Sequence, residues 1–545
     1  MVIWDKDRSS KRERMDAVRE YAEGKVVPAD DIVPFLETVI HSGDKVALEG
    51  CNQKQAAFLA GALAQMDPEK VHGLNLIIPA ISRAEHLDLF ERGIAREVNF
   101  AYAGAQSLRL AQMLAENKLR IGAIHTYLEL YARMYVDLTP HVCLIAADKA
   151  DRNGNLYTGY NTEDTPMIAE AAAFKNGIVI AQVNTIVDEK ELPRVDIPGG
   201  WIDYIVQAPE PYPMEPLFTR DPGKIQDEHI LMGMMVIKGI YAKHGVTSLN
   251  HGIGYNGAAI ELLLPTFGNM LGLRGKICTH WVLNPHPTLI PAIEDGWVKQ
   301  VCSFGGELGM EKYTAARLDV FFTGADGTLR SNRAAAQVAG LYGIDLFLGG
   351  TLQMDYAGNS STVTNGRLSG YGGAPNMGNN SGGRRHTTRA WMDMAPGNGS
   401  MISGRKLVVQ MMKSRSKFGP GFVPTLDAVD IGKKAGMDSA PVMIYGEDVT
   451  HVVTEQGIAY LYQAQNAEER ARLLGAVAQG TPIGDLVSQG EIRELRAAGK
   501  VAYPEDLAIS PAAATKDLLA AQSLEDIAKI SGGLYEVPER FRKKG

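Results

Sequence analysis

Short runs of apolar residues alternate along this chain with segments whose apolar residues recur at helical spacing. Up to residue 207 these runs have the length and composition of buried β-strands: VALEG (46–50), LNLIIPA (74–80), VNFAYAG (98–104), VCLIAA (142–147), IVIAQVN (178–184) and DYIVQ (203–207). The intervening segments, such as QKQAAFLAGALAQM (53–66) and SLRLAQMLAENK (107–118), have helical periodicity. This alternation predicts an α/β fold in which βαβ units surround a mostly parallel sheet.

The same alternation returns in the second half of the chain. Its predicted strands are VTSLNHGIG (246–254), KICTHWVL (276–283), KQVCSFGG (299–306), DVFFTGADG (319–327), IDLFLGG (344–350), KLVVQMM (406–412), PVMIYG (441–446) and THVVTEQG (450–457). A charged, proline-rich loop (208–224) and an apolar helix (225–245) lie between the halves. A chain of 545 residues exceeds what one core usually supports. We therefore predict two open α/β domains, 1–224 and 225–545, with the ligand site at their interface, beyond the carboxyl ends of strands.

Composition excludes several classes of function. Hydrophobic residues make up 45% of the chain and charged residues 22%, and the net charge of −8 argues against a nucleic-acid partner. The four cysteines, at positions 51, 143, 278 and 302, form no C-x-x-C pair, so neither a metal site nor a disulfide framework is predicted. Residues 1–20 contain no apolar stretch long enough for a signal peptide, and no run of about 18 apolar residues follows. We expect a cytoplasmic protein that does not act at a membrane.

One stretch departs from this ordinary composition. Residues 370–391 read GYGGAPNMGNNSGGRRHTTRAW, and six of the first fourteen are glycine. The bare backbone is followed by a cationic cluster comprising Arg384, Arg385, His386 and Arg389. A flexible surface loop would also be rich in glycine, serine and asparagine. Exposed N–H groups beside guanidinium groups nevertheless suit an acyl carbonyl and carboxylates.

A second glycine-rich segment, NHGIGYNGAA (250–259), follows a predicted strand and precedes a helical pattern. Such a turn can bring backbone N–H groups and a helix N-terminus to an anion or a developing oxyanion. The same pattern also occurs in simple tight turns, and it lacks the Lys-Ser/Thr ending of a P-loop. Nucleotide phosphates are therefore not the favoured ligand.

Two further strands end in polar residues. HVCLIAADKADRNGNLYTG (141–159) contains Asn153-Gly154, which favours a hairpin-like corner over a functional site. THVVTEQGIAYL (450–461) places Glu455 at the end of a strand, where a glutamate can act as a cap, an ion-pair partner or a catalytic group.

Taken in order, these segments resemble the framework of the coenzyme A transferase and acetyl-CoA hydrolase superfamily. The resemblance rests on VCLIAADKADRNGNLYTG, IVIAQVN, WIDYIVQ, the GIG turn at 252–254, SGYGGAPNM (369–377) and THVVTEQGIAYL, and it spans residues 40–470. Within the superfamily, GYGGAPNMG, the RRH cluster and THVVTEQGIAYLY are most similar to the malonate decarboxylase alpha-subunit family. That family implies two tandem coenzyme A transferase-like domains with the acyl site between them, and transfer of an acyl carrier protein (ACP) between acetate and malonate.

One departure from the superfamily bears on mechanism. Many coenzyme A transferases carry a nucleophilic glutamate in the segment that follows the GIG helix. Here that segment is GKICTHWVLNPHPTLIPAIEDG (275–296), which has no acidic residue from Gly275 to Ile293, and Leu283 aligns near the expected glutamate. The substrate's own carboxylate is therefore expected to attack the thioester in a ternary complex, and an acetyl-malonyl anhydride then forms.

The resemblance and this departure together assign roles to particular residues. Both tetrahedral intermediates are oxyanions, and we predict that Gly370, Gly372, Gly373 and Ala374 stabilise them, with Glu455 as a weaker catalytic candidate. The predicted substrate-binding residues are Gly252, Gly254, Asn256, Asn376, Arg384, Arg385, His386 and Arg389. One of the three arginines is expected to hold the distal carboxylate of malonate, although such a cluster could instead be a solvated face or contact the carrier protein.

The resemblance also implies the partners. The thiol would belong to a phosphoribosyl-dephospho-coenzyme A group on the carrier-protein subunit, and decarboxylase subunits would complete the complex. The chain itself is then expected to need no metal and no cofactor of its own, with coenzyme A as a candidate ligand. A transferase or hydrolase acting on free coenzyme A, and a non-catalytic scaffold that docks the carrier protein, are the alternatives.

Overall fold

The computed structural model of the chain describes residues 3–50, 54–303, 305–321, 343–375 and 406–542. Its first sheet has eight strands, of which seven are parallel in the order β4-β3-β2-β1-β5-β7-β8, while β6 pairs antiparallel with β5. These strands are β1 (Lys45–Leu48), β2 (Leu74–Ile81), β3 (Ala95–Ala103), β4 (Arg120–Ile124), β5 (Val142–Ala150), β6 (Leu156–Tyr157), β7 (Ile178–Ile186) and β8 (Tyr204–Gln207).

Helices connect these strands and bury both faces of the first sheet. They are α1 (Ile3–Ala17), α2 (Ile32–Val39), α3 (Ala57–Gln65), α4 (Glu85–Glu91), α5 (Ser107–Ala115), α6 (Tyr127–Val136) and α7 (Thr165–Phe174). Alternate residues of β1 and β5 enter two separate apolar clusters, one on each side of the sheet. This explains why their sequences are almost continuously apolar rather than alternating.

The second sheet also has eight strands, in the order β11-β10-β9-β12-β15-β18-β19-β20. Its strands are β9 (Ser248–His251), β10 (His280–Val282), β11 (Gln300–Cys302), β12 (Leu346–Gly350), β15 (Leu407–Met411), β18 (His451–Val453), β19 (Ile458–Ala459) and β20 (Val501–Ala502). Two short hairpins accompany it, formed by β13 (Gln353–Met354) with β14 (Ser360–Ser361) and by β16 (Arg415–Ser416) with β17 (Gly419–Pro420). All strand pairs from β11 to β18 are parallel.

The described helices of the second half pack around this sheet. They are α8 (Asp227–Val236), α9 (Tyr255–Leu263), α10 (Ile290–Glu294), α11 (Glu311–Ala316), α12 (Asp427–Lys434), α13 (Ala467–Ala476), α14 (Gln489–Ala497) and α15 (Leu524–Ile530). Both α8 and α9 continue into wider π-helical turns, Ile237–Ala242 and Leu264–Gly268. In the described part of the chain, none of the helices combines the length and the apolar character needed to span a bilayer.

The two sheets repeat one topology. In each, the first strand lies centrally, the next strands add on one side, and later strands add on the other side. The strand order therefore reverses between β1 and β5 in the first sheet and between β9 and β12 in the second. In open α/β sheets, ligands bind beyond the carboxyl ends of strands at such reversals. These two edges are where a site is expected.

The apolar core of the first sheet also contains side chains from the second half of the chain. Val363, Leu368, Leu426 and Ala428 are buried in the same apolar cluster as β1 and β2. Two segments that follow residue 224 therefore complete the packing of the first sheet. The domain boundary at residue 224 stays a prediction.

Most of the predicted strands are present, but the structure also has strands that were not predicted. These are β4 and the two-residue strands β6, β13, β14, β16, β17, β19 and β20. Residues 441–446 form only an isolated bridge, between Ile444 and Ser360, so the strand predicted there was wrong. The predicted strand 319–327 lies largely outside the described residues. The corner at Asn153-Gly154 is confirmed, because β5 and β6 pair antiparallel around it and Gly154 has a φ of 85°.

Candidate functional site

The first glycine segment, residues 369–375 in the described part, docks against the carboxyl end of β3. Gly370 forms an antiparallel bridge with Tyr102, and the Gly372 N–H donates to the carbonyl of Ala101 at 2.9 Å. Gly370 has a φ of 77°, and a Cβ atom there would overlap the Ala101 carbonyl oxygen. Glycine is therefore required at position 370 for close backbone approach.

This docking corrects one expected role. The N–H of Gly372 was predicted to stabilise an oxyanion, but its hydrogen bond to Ala101 already occupies it. Gly373 and Ala374, which come next, are half-buried, and Ala374 packs against an apolar cluster of the second half. Among the described residues, no carbonyl oxygen accepts from the N–H of Gly373. Gly373 stays a candidate donor.

The second glycine segment, residues 250–257, joins β9 to α9. Gly252 lies where β9 and β12 approach, and its N–H donates to the Leu348 carbonyl at 2.7 Å, so it too is unavailable to a ligand. Gly254, with a φ of 151°, precedes the first turn of α9 and supplies no capping side chain. The side-chain oxygen of Asn256 is buried without a hydrogen-bond partner among the described residues. The helix start and Asn256 thus remain candidate binding groups.

Arg220 has electrostatic neighbours beside both glycine segments. It is half-buried in the loop between the halves, and its Nη1 donates to the carbonyls of Leu217 and Thr219, each at 2.8 Å. Its electrostatic neighbours include Tyr255, beside the second glycine segment, the buried Glu307, and Tyr102, beside the first glycine segment. No carboxylate among the described residues forms an ion pair with it. A half-buried guanidinium without such a partner suits an anionic ligand.

Helix α6 links the first glycine segment to a group of buried acids. Tyr127 donates its backbone N–H to the Gly372 carbonyl at 3.3 Å. One helical turn later, the Tyr131 hydroxyl donates to Asp164 Oδ2 at 3.1 Å. Burial, followed by the charge of Glu49, raises the pKa of Asp164 to about 7.

Glu163, next to Asp164, reaches the second half of the molecule. Its Oε1 accepts a hydrogen bond from Nδ2 of Asn284 at 3.0 Å, and Asn284 follows β10 closely. A Cβ atom on Gly305 would overlap the same carboxyl oxygen, so the glycine leaves the room that Glu163 fills. Burial, followed by the charge of Asp164, raises the pKa of Glu163 to about 8. A carboxyl group that is largely protonated at neutral pH therefore lies between the two halves.

A buried ion pair between Glu49 and Lys54 contacts the loop that carries these acids. Glu49, at the end of β1, accepts the backbone N–H of Ala146 at 2.6 Å and the hydroxyl of Thr165. Lys54 lies 3.4 Å from Glu49 and also donates to the Thr162 carbonyl at 3.2 Å. Both side chains are fully buried. The pair thereby fixes the loop that leads through Glu163 into α7.

The end of β10 carries no acid. Leu283 is buried and its N–H donates to the Cys302 carbonyl at 3.1 Å. Nearby, Nδ1 of both His251 and His286 lies 2.9 Å from Oε1 of Glu261. Burial alone would raise the pKa of Glu261, but the two imidazoles outweigh it and lower the pKa to about 2. These contacts of Glu261 hold α9 against β9, through His251, and against the turn after β10, through His286.

Glu455 has a structural contact. Its carboxylate accepts the backbone N–H of Ser414 at 3.0 Å and also the Ser414 hydroxyl. It thereby joins the turn after β15 to the turn after β18. A catalytic role for Glu455 stays a prediction. The other predicted substrate-binding residues, Asn376, Arg384, Arg385, His386 and Arg389, lie outside the described residues.

Sequence reasoning missed Glu163 and Arg220. The signal for Glu163 is that it forms an acidic pair with Asp164 in a segment otherwise made of Asn, Thr, Tyr and Gly, just before a helix. Arg220 is an arginine in the loop that connects two predicted domains. Both signals are weak, because each depends on a neighbour that is distant in sequence.

The fold belongs to a known class. An acyl-CoA transferase from Escherichia coli O157:H7 superposes with a TM-score of 0.51 at 14% identity, covering 81% of this chain and 88% of that chain. This similarity shows the coenzyme A transferase fold, and the predicted fold class is confirmed.

Closer relatives define the family. A family model described as malonate decarboxylase, alpha subunit, transporter, matches residues 3–544. The acetyl-S-ACP:malonate ACP transferase of Malonomonas rubra is 54% identical over 99% of both chains. A chain of a Pseudomonas malonate decarboxylase hetero-tetramer, determined in complex with malonate, is 56% identical, covers 100% of both chains and has a TM-score of 0.97. The chain belongs to the malonate decarboxylase alpha-subunit family, and the predictions of this family and of a transferase are confirmed.

Proposed function

We propose that this chain exchanges the acyl group on a carrier protein, converting acetyl-S-ACP and malonate into malonyl-S-ACP and acetate. A malonate oxygen attacks the thioester carbonyl, the thiolate leaves, and an acetyl-malonyl anhydride forms. The thiolate then attacks the malonyl carbonyl and acetate departs. Both steps pass through an oxyanion, which hydrogen-bond donors fixed in advance stabilise.

The observation that carries this mechanism is the acid-free end of β10. Residues 275–293 contain no carboxylate, and the position nearest the expected glutamate is the buried Leu283. A covalent glutamyl thioester needs a carboxylate there. Malonate brings its own, so the substrate can replace the missing nucleophile in a ternary complex.

Groups on both halves can serve this reaction. The N–H of Gly373 and the first turn of α9 provide donors for the oxyanions. Arg220 provides positive charge for the malonate dianion in a protein of net charge −8. Arg384, Arg385 and Arg389, which lie outside the described residues, stay candidates for the same role.

The carrier-protein partner is part of the proposal. We infer that its thiol is carried by a phosphoribosyl-dephospho-coenzyme A group and that decarboxylase subunits process the malonyl product. The Pseudomonas relative is a hetero-tetramer, which supports an assembly of several subunits. The proposed reaction assigns this chain no metal and no resident cofactor.

The direct experiment uses the purified chain, acetyl-S-ACP and isotope-labelled malonate. The expected result is label on the carrier protein with release of one acetate for each malonyl group formed. Free acetyl-CoA, tested in parallel, should be a poorer donor. Exchange on free coenzyme A alone would favour a coenzyme A transferase, and binding of the carrier protein without any exchange would favour a docking scaffold.

A trapping experiment tests the ternary mechanism. Borohydride or hydroxylamine is added during turnover, and the chain is then mapped by mass spectrometry. No glutamyl adduct is expected at any position. An adduct that accumulates at the rate of turnover would show that an enzyme carboxylate is the nucleophile.

A further inference from the structure

Glu163 has the placement of a reacting group rather than of a core residue. It lies in a loop of the first half, yet Asn284 and Gly305 of the second half both contact its carboxyl group. Its φ is 47°, a left-handed conformation that costs free energy for a residue other than glycine. Strain of this kind is typically retained at functional sites.

Its position relative to the second sheet is also specific. Asn284 directly follows Leu283, the residue nearest to where related transferases carry their glutamate. The carboxyl group of Glu163 therefore approaches from the opposite half the end of β10 that lacks an acid. Through Asp164, Tyr131 and Tyr127, it is also connected along α6 to the carbonyl of Gly372.

Charged and polar groups on several packed elements surround Glu163. Asp164 at the start of α7 and Glu49 at the end of β1 oppose its ionisation, whereas Lys54 and the amide of Asn284 favour it. Burial is the largest influence, and the net result is a raised pKa. Glu163 therefore holds a proton in the pH range in which a thiol also ionises.

We propose that Glu163 is the general acid and base for the carrier-protein sulfur. This role rests on the proposed acyl exchange. As malonate oxygen bonds to the acetyl carbon, the C–S bond breaks and the sulfur takes the proton of Glu163. When the sulfur attacks the malonyl carbonyl of the anhydride, its proton returns to Glu163 and acetate leaves as the carboxylate. No proton is gained or lost over the cycle.

The decisive variant is Glu163→Gln, which keeps the size of the side chain and an oxygen that can accept from Asn284. Removing a general acid typically lowers the rate by about 10²–10⁴-fold, so we expect kcat to fall by at least about 100-fold while KM for malonate is unchanged. Glu311→Gln is the matched control, because burial also raises the pKa of Glu311 but its carboxyl group lies at the start of α11. The control should keep the wild-type kcat.

The pH profile separates chemistry from structure. Wild-type kcat should fall as pH rises through the pKa of Glu163, and this limb should be absent from Glu163→Gln. Asn284→Ala removes a donor that stabilises the ionised carboxylate, so it should move the limb to higher pH. This second variant tests the role even where Glu163→Gln fails to fold.

Three outcomes would overturn the assignment. The first is a kcat of Glu163→Gln within about threefold of the wild type, because loss of general acid catalysis should cost at least about 100-fold. The second is an alkaline limb of the pH profile that Asn284→Ala does not move. The third is an acyl adduct trapped on Glu163, which would make Glu163 a nucleophile. Absence of exchange by the wild-type chain with its carrier protein would instead contradict the proposed function itself.

Discussion

The carboxyl edges of the two sheets have the same topology and opposite chemistry. In the first sheet, the edge beside β1 holds Glu49, Lys54, Glu163 and Asp164, and we call this the charged edge. In the second sheet, the edge between β9 and β12 combines glycine backbone and the start of α9 with the buried Glu261, which contacts His251 and His286, and we call this the glycine edge. A repeated strand order thus fixes where a site can form, and in the proposed reaction the loops determine which half supplies proton transfer and which supplies N–H donors.

The largest expected effect comes from breaking the charged edge. Lys54→Met leaves Glu49 buried without its cationic partner, and such a change typically costs about 3–5 kcal/mol. The free energy of unfolding measured in denaturant should fall by that amount. The double variant Lys54→Met/Glu49→Gln removes both charges and should recover part of the loss, and equal stability of the single and double variants would contradict this account.

The next contrast tests why glycine is present at position 370. Gly370→Ala places an alanine at a φ of 77°, where it also overlaps the Ala101 carbonyl. Gly366→Ala is the matched control, because Gly366 has a φ of 71° with nothing within 4 Å of the added Cβ.

Left-handed backbone alone costs about 1–2 kcal/mol for a residue with a Cβ. Gly366→Ala should therefore lose that much stability, and Gly370→Ala should lose more and also lose acyl exchange. Equal losses in a denaturant titration of the two variants would show that the contact with β3 does not determine the choice of glycine.

The two edges should also respond oppositely to pH. Glu163 has a folded pKa of about 8, above the ordinary glutamate value of 4.5, so the folded state binds more protons and stability falls as pH rises between these values. Glu261 has a folded pKa of about 2, so its contribution is present above 4.5 and is lost as pH falls towards 2. In unfolding titrations across pH, Glu163→Gln should flatten the alkaline decline and leave the acid decline unchanged. An identical profile for variant and wild type would contradict the assigned direction.

The smallest expected effect concerns Glu455. Glu455→Gln keeps an oxygen that can accept from Ser414, so the lost charge should cost about 1 kcal/mol, which is typical of a single hydrogen bond. We expect kcat for acyl exchange close to that of the wild type. A fall in kcat with unchanged stability would instead place Glu455 in the chemistry.

The fold could be predicted from the sequence because local patterns determine it. Apolar runs such as 74–80 and 178–184 are long and flanked by helical segments, and each is a strand. β4 was missed because RIGAI is short and its burial alternates. Residues 441–446 were wrongly predicted as a strand because Met443 and Ile444 are buried in the core as extended loop, and buried apolar residues look alike in either conformation.

The site could be predicted only in part, because its contacts are long-range. Glycines 252, 370 and 372 were predicted to line the site, but sequence cannot tell whether a glycine frees an N–H for a ligand or lets two backbones approach. In this protein Gly252 and Gly372 use their N–H groups internally. Glu163 and Asn284 are 121 residues apart, and nothing in either local pattern indicates the other.

The shared core of the first sheet has a consequence for how the protein is made. Val363, Leu368, Leu426 and Ala428 complete packing that begins with β1 and β2. During synthesis on the ribosome, part of the apolar surface of the first sheet therefore stays exposed until residues 363–428 of the second half have been translated. Nascent chains in that condition are prone to aggregate. Translation speed and chaperone binding between residues 224 and 428 should thus influence the yield of this protein more than events at either end of the chain.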